Sequence, residues 1–437
     1  MGIDFVSCVQ ISKESFRGIC VNGEMIERET KSDWGTGFYL LHGTKDGFYS
    51  TNDFSRSNPQ LVDIAQSLLK TNHQSNYPAK PIPRSVTNDI RSSGPWQQDM
   101  LEQSDEIIAG INDHLATYTD MLRYVVKIRG DDIRKSTQTS QGSSILHNSQ
   151  SATLELYLNS KDNPEIELTT TIGGVQEEDF NYDLIMDRLE EQLSLLQQFD
   201  NPRQAKNGNF PVVLTPDSTY SLIHEGIGHA VEADQIITGM SFLTGKLGYK
   251  VASSELTVTD DAHLRNSGWA EYDDEGTKTK GTLIIEEGIL VDYLHTRKTA
   301  EAMDTLPTGN ARASSFDQVP EPRQSNIFIE PKDYDLEEML EDIDFGYLLG
   351  PTYLASTSIY TGQIQIETQY CQKIENGELT DYMQPATMNG HALNILSNVS
   401  KIGNTISKFP TDCLKAHSRL EIGAYAPHIF VKSVNLQ

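Results

Sequence analysis

The stretch Ser221–Gln235, SLIHEGIGHAVEADQ, places the tightest condition on how this chain folds. Its histidines, His224 and His229, are five positions apart, with Gly226 and Gly228 between them. On a regular α-helix, residues four apart differ by about 40° around the axis and residues five apart by about 140°. An ordinary helix would therefore point the two imidazoles to different sides. The preceding Thr-Pro-Asp-Ser is a helix-start signal, so the histidines project from the first half of a helix. Two glycines in one turn cost roughly 1–2 kcal/mol relative to alanine, which asks for a backbone reason. A turn widened to i→i+5 bonding supplies one, because it returns residues five apart to one face. Glycine eases that distortion and lets another backbone come close. The spacing predicts a locally widened helix around Gly226–Gly228.

The chemistry of the stretch points the same way. Glu225 directly follows the first histidine, where a zinc peptidase keeps the carboxylate that takes a proton from metal-bound water and hands it to the leaving amine. Catalytic zinc usually takes three protein ligands and keeps a fourth position for water. Two histidines leave one ligand to find. Glu232, Asp234, a distant histidine and a cysteine thiolate all remain open, and spacing does not choose among them.

Elsewhere the pattern divides the chain. FRGICVNGEMIERET and WGTGFYLLHGTKDGFYST read as extended segments joined by Asn-Gly and Gly-containing turns. NPQLVDIAQSLLKTN and QQDMLEQSDEIIAGINDHLA read as helices, and PAKPIPRSVTNDIRSSGPWQ as a loop. DMLRYVVKIRG, ATLELYLNS and EIELTTTIGG are strand-like. NYDLIMDRLEEQLSLLQQF is the clearest helix, with Leu184, Met186, Leu189, Leu193, Leu196 and Phe199 on one core-facing stripe. DNPRQAKNGNFPVV has the Pro, Asn and Gly of a linker, placing a domain boundary near residue 206. Beyond it PVVLTP reads as a buried strand, and after the histidine helix the chain turns β-rich. IEEGILVDYL and IENGELTDYM share one strand-turn-strand shape, as two hairpins of a single sheet or barrel would. The reading is α+β: an N-terminal mixed α/β domain over 1–205, then a β-rich, barrel-like domain over 206–437 that carries the metal-binding helix.

Charge and cysteine usage exclude several functions. Against 35 Lys and Arg stand 62 Asp and Glu, a formal charge of −27, and no segment is a basic run. Nucleic-acid binding would need phosphate-neutralising clusters. MGIDFVSCVQISKESFRG lacks the parts of a signal peptide, and Ser7 sits one place too late for a myristoylation match. No run of about 18 apolar residues exists to span a membrane. Cys8, Cys20, Cys371 and Cys413 lie far apart, which fits reduced thiols in a cytoplasmic protein.

HEGIGHAVEAD resembles the His-Glu-x-x-x-His helix of the TldD/PmbA zinc metallopeptidases, the modulator of DNA gyrase family, with its trailing acidic residues. LTVTDDAHLRNSGWAEYDDEGTKTKGTLIIEEGILVDYLHTRKTA, GNARASSFDQVPEPRQSNIFIEP and DCLKAHSRLEIGAYAPHIFVKSVNLQ are similar to further blocks of that family, in matching order. ESFRGICVNGEMIERETKSDWGTGFYLLHGTKDGFYST is similar to its first domain. Carried over, His224 and His229 would be histidine ligands, Cys413 the third ligand and Glu225 the general base, with Zn2+ as cofactor. Around Cys413 the chain departs from the family pattern, with Leu414-Lys415 where Cys-Gly-Lys is usual.

The resemblance implies a catalytic TldD-like member that hydrolyses unfolded peptides, in leader-peptide processing or peptide degradation. It also implies a homodimer, or a heterodimer with a related chain, enclosing the zinc in a cavity. Residues 1–205 would serve peptide binding and dimerisation. An extended peptide would be held by strand addition to a sheet edge. The alternative is a non-catalytic peptide-binding partner of such a heterodimer.

Asp273, Asp274 and Glu275 read as a solvated acidic turn, with a role near the cavity as the second possibility. Arg312, Arg323 and Asn326 are expected to pin a loop, with positioning of a substrate carbonyl as the second possibility. His391 and His417 read as structural or surface residues, His417 being the replacement if Cys413 fails. Cys8, Cys20 and Cys371 read as buried or inert.

Overall fold

The computed structural model describes residues 4–52, 88–91, 94–96, 99–415 and 418–437. The first half is built on a seven-stranded sheet: β1 (Phe5–Val21), β2 (Glu24–His42), β3 (Lys45–Thr51), β4 (Asn88–Arg91), β5 (Leu122–Thr139), β6 (Ser144–Ser160) and β7 (Glu167–Gly174). Its order is β3-β2-β1-β5-β6, with β4 and β7 both adding to the far side of β6. Asn22 and Gly23, at φ 49° and 87°, close the β1–β2 hairpin as the Asn-Gly dipeptide predicts.

Alternation along β5 turns Leu122, Tyr124, Val126 and Ile128 to one buried face. Two helices cover that face, α1 (Met100–Leu115) through Ile107, Ile108 and Ile111, and α2 (Tyr182–Leu196) through Ile185, Leu189 and Leu193. The expected stripe of α2 is thus shifted. Leu184, Met186 and Leu196 flank the contact half-buried, and Phe199 lies past the helix end against Ile166, Leu168, Tyr370 and Tyr382. The helix read in NPQLVDIAQSLLKTN lies outside the described residues. Within the presumed loop that follows, β4 pairs parallel with Ile145–Asn148 of β6.

From residue 208 onward the chain is mostly sheet, as expected, but among the described residues no barrel closes. A six-stranded sheet runs β11 (Ile289–Leu290), β10 (Gly281–Glu286), β9 (Val258–Asp261), β14 (Asn326–Ile329), β23 (Ser418–Ala426) and β22 (Ser407–Lys415). A nine-stranded sheet runs β16 (Thr352–Ser358), β17 (Gln363–Thr368), β20 (Thr387–His391), β24 (Ile429–Leu436), β8 (Gly208–Leu214), β15 (Phe345–Leu349), β18 (Cys371–Glu375) and β19 (Glu378–Met383), with β21 (Val399–Ile402) on β24. A ribbon of β12 (Ala311–Arg312) and β13 (Glu321–Pro322) stands apart.

The physical reason for the open sheets is the helical segment between them. Leu222, Ile223 and Ile227 join one apolar core with Val258, Ile327 and Ile422 of the first sheet and Val212, Ile364 and Val431 of the second. Each sheet therefore buries its apolar face on the helix instead of curling on itself. The two look-alike hairpins do not share a sheet either: β10–β11 ends one and β18–β19 ends the other. Their likeness is turn chemistry, since Glu287-Gly288 and Asn376-Gly377 all take positive φ. Among the described residues no helix is long and apolar enough to cross a membrane.

Candidate metal centre

The segment begins as α3 (Pro216–Ile223), with Pro216 at the first helical position, where its missing N–H costs no bond. At His224 the winding changes. Residues His224–Gly228 form a π turn, and the His229 N–H donates to the His224 carbonyl, five residues back. A single 3₁₀ turn, His229–Val231, follows. The widening brings the two imidazoles together, their ring centroids 4.7 Å apart. This is the local distortion that the five-residue spacing requires.

Space, rather than backbone angle, demands glycine at position 228. Its φ of −54° and ψ of −51° are ordinary helical values. A Cβ there would overlap the buried side-chain amide of Gln324, whereas a Cβ on Gly226 would lie 3.3 Å from the Ala392 methyl.

Strand β22 delivers the third donor. Cys413 pairs in register with Leu420 of β23, and its Sγ lies 3.6 Å from His229 Nε2. The donor atoms of His224, His229 and Cys413 all fall within 4.8 Å of one another, and all three residues are buried. Each imidazole is oriented through its other nitrogen, His224 Nδ1 by the Tyr220 hydroxyl at 3.1 Å and His229 Nδ1 by Glu232 Oε2 at 3.3 Å. Burial would raise the Cys413 thiol, but the imidazoles hydrogen-bonded to it outweigh burial and bring it down to about 5. Burial likewise opposes a charged His229, yet Glu232 and the thiol hold it well above the usual imidazole range.

Glu225 lies beside the cluster, its Oε1 3.9 Å from His224 Nε2, with its side chain 21% exposed and so open to a reactant. It faces a cleft of about 570 Å³ bordered by Thr169–Gly173 of β7 and Ser407–Asp412 of β22. Both strands lie at sheet edges.

The remaining candidates sort clearly. Glu232 and Asp234 are not among the clustered donors; both engage the Lys415 ammonium, at 3.1 and 2.8 Å. His391 caps the short helix Ala392–Ser397 through Leu393 N–H. His417 lies outside the described residues. Cys20 and Cys371 are buried and Cys8 partly so. Arg312 donates to the carbonyls of Gln324 and Glu421, Arg323 to those of Cys413 and Ser418, and the Asn326 amide to those of Asp261 and Leu264.

The acidic turn is a correction. Asp273, Asp274 and Glu275 are buried, because the N-terminal sheet closes over them. Asp274 meets Lys135 of β5, Asp273 Oδ1 caps the Glu275 and Thr277 N–H groups, and Glu275 Oε2 accepts the Arg297 N–H. Sequence reasoning also missed Tyr220, Gln324 and Lys415, each of which acts through a residue distant in the chain or four positions further on.

Residues 207–437 match the PmbA/TldA metallopeptidase C-terminal domain. A metalloprotease of Methanocaldococcus jannaschii is 32% identical over 393 residues, 86% of this chain and 84% of that protein. The chain belongs to the PmbA/TldD metallopeptidase family. A zinc metalloprotease TldD homolog of Saccharolobus solfataricus is 25% identical over 82% of this chain and 80% of its own length. TldE from Thermococcus kodakarensis has the same fold, with a TM-score of 0.81 at 16% identity over 99% of this chain and 96% of that one.

For a member of a metallopeptidase family the donor chemistry is apt. Two imidazoles and one thiol of lowered pKa are a borderline-soft N₂S set of the kind zinc takes. The metal is thus implied by the family and compatible with the residues present.

Proposed function

We propose that this PmbA/TldD member is a zinc-dependent peptidase acting on unfolded peptides, in leader-peptide processing or peptide degradation. The observation that carries the reading is the convergence of His224, His229 and Cys413 beside Glu225, at the wall of a cleft between two sheet edges. His224 and His229 would hold the ion through Nε2 and Cys413 through Sγ. Zinc held there would polarise a peptide carbonyl and lower the pKa of a bound water toward ~7. Glu225 then takes up the proton of the attacking water and delivers it to the leaving amine as the C–N bond breaks. Tyr220 and Glu232 hold the imidazoles in place through Nδ1. The edge strands β7 and β22 would bind an extended peptide by strand addition, reading backbone more than side chains.

The same reading takes 1–205 as a peptide-binding and dimerisation domain and 206–437 as the metallopeptidase domain, the working unit being a homodimer or a pair with a related chain. It assigns no role in nucleic-acid binding, in keeping with the charge of −27. The test is metal content and cleavage of an unstructured peptide, alone and with a candidate partner chain. About one zinc per chain is expected, absent in Cys413→Ala, and Glu225→Gln should lower cleavage ~10²–10⁴-fold while keeping its zinc. A folded, metal-free wild type would instead favour the non-catalytic partner, and equal cleavage by Glu225→Gln would remove Glu225 from the mechanism.

A further inference from the structure

The ends of the histidine segment and of β22 are joined by a charge pair, Glu232 with Lys415, of which the proposed chemistry gives a role to Glu232 alone. Glu232 is completely buried, and its Oε2 meets both His229 Nδ1 at 3.3 Å and Lys415 Nζ at 3.1 Å. The backbone at Glu232 breaks from the 3₁₀ turn to an extended φ of −67° and ψ of 119°, which brings its carboxylate back beneath His229. Lys415 stands two positions after Cys413 in β22, hence on the same side of the strand. Its ammonium also meets Asp234 Oδ1 at 3.0 Å and the Pro322 carbonyl at 3.1 Å.

We propose that Glu232 and Lys415 are positioning residues, a buried pair that sets the ring of His229 and docks the Cys413 strand against the widened turn, so that the three donors are assembled before an ion arrives. The inference rests on the metal-site reading above. Nδ1 of His229 is engaged by Glu232, which leaves Nε2 as the nitrogen to meet an ion, and it is Nε2 that lies 3.6 Å from Cys413 Sγ. Outer partners of this kind typically contribute 10–100-fold to metal affinity. Lys415 adds a lasting positive charge to that of His229 at a carboxylate buried this deeply.

The experiment uses the full-length chain, stripped of metal and titrated with Zn2+ against a chromophoric chelator. The absorption spectrum of the Co2+-loaded protein is recorded in parallel. Glu232→Gln should weaken Zn2+ binding about 10–100-fold and alter the Co2+ ligand-field bands, because the His229 ring is freed. Lys415→Met, which keeps the apolar stem, should do the same, and the double variant should bind no more weakly than the weaker single one, as expected of groups acting as a unit.

Affinities within about twofold of wild type with an unchanged Co2+ spectrum would overturn the proposal. So would a loss confined to the unfolding midpoint of the metal-free protein, which is what a merely structural pair predicts. Should Glu232→Gln fail to fold, Lys415→Met carries the same decision. A wild type that takes up no ion overturns the metal reading itself, a result distinct from normal uptake by both variants.

Discussion

Gly226 and Gly228 sit in one widened turn yet should respond oppositely to alanine. At position 228 the backbone is ordinary helix, so alanine would gain about 1 kcal/mol there from propensity alone. The space does not allow it. The new methyl would fall on the Gln324 side chain, overlapping Oε1, Cδ and Nε2 together rather than one flexible tip. Gln324 is completely buried, and neither amide atom has a hydrogen-bond partner that a shift could preserve. Overpacking of this kind costs typically ~1–3 kcal/mol, and the block contact argues for the upper part of that range. Gly228→Ala is therefore expected to destabilise by about 1–2 kcal/mol net.

For Gly226→Ala the one tight contact is the Ala392 Cβ at 3.3 Å, with Ile364 and Leu222 at ordinary van der Waals distance, and a few tenths of an ångström relieve it. That variant should lie between neutral and about 1 kcal/mol more stable. Urea unfolding followed by circular dichroism reads both, with zinc content measured on the same samples. In a Gln324→Ala background the Gly228→Ala penalty should vanish or change sign, since the obstacle is gone. A Gly228→Ala protein as stable as Gly226→Ala, or a penalty that persists without the Gln324 amide, would refute the steric argument and leave π-turn geometry itself as the reason for glycine.

Burial, with Asp273 as like-charged neighbour, pushes the Glu275 carboxyl up to about 8, and burial brings Asp273 to about 7. The native state then binds more protons than the unfolded chain between the ordinary carboxylate range and those values, so this pair's contribution to stability is full at low pH and is lost as pH rises toward about 8. Glu275→Gln should flatten that stretch of a stability-against-pH curve, and an unchanged slope would show that the pair does not titrate there. Tyr220→Phe removes the hydroxyl bonded to His224 Nδ1; a neutral hydrogen bond of about 1 kcal/mol predicts roughly fivefold weaker Zn2+ binding, less than for Glu232→Gln, and the same chelator competition decides it. Leu189→Ala empties a fully buried position of α2; it should cost about 2–5 kcal/mol in the N-terminal region and leave zinc content intact, which denaturation and metal analysis together check.

What was legible in the sequence follows from how local each interaction is. The π turn was legible because spacing, glycines and helix start all lie within one segment, and helical geometry converts them into a single requirement. The histidine pair therefore needed no relative to be read as an abnormal helix. Cys413 was a different matter. It reaches the site only through the pairing of β22 with β23 and of β23 with β14, and no periodicity near residue 413 encodes those partners; resemblance to a family supplied it. The acidic turn failed for the same reason in reverse. EYDDEGTKTKG has every local mark of a solvated turn, and what buries it is Lys135 and the long sheet to which it belongs.

The barrel expectation failed because strand composition cannot say whether a sheet covers its apolar face with its own curvature or with a helix, and here Leu222, Ile223 and Ile227 provide the cover. Between these extremes lies Lys415. Once Cys413 is placed facing the histidines, alternation puts Leu414 on the opposite face, where it is 71% exposed, and returns Lys415 to the face of Cys413. Likewise, the extended break after the 3₁₀ turn is what lets Glu232 reach His229. Each half of that charge pair is thus a short step from a donor residue, and only the meeting of the two halves required the structure.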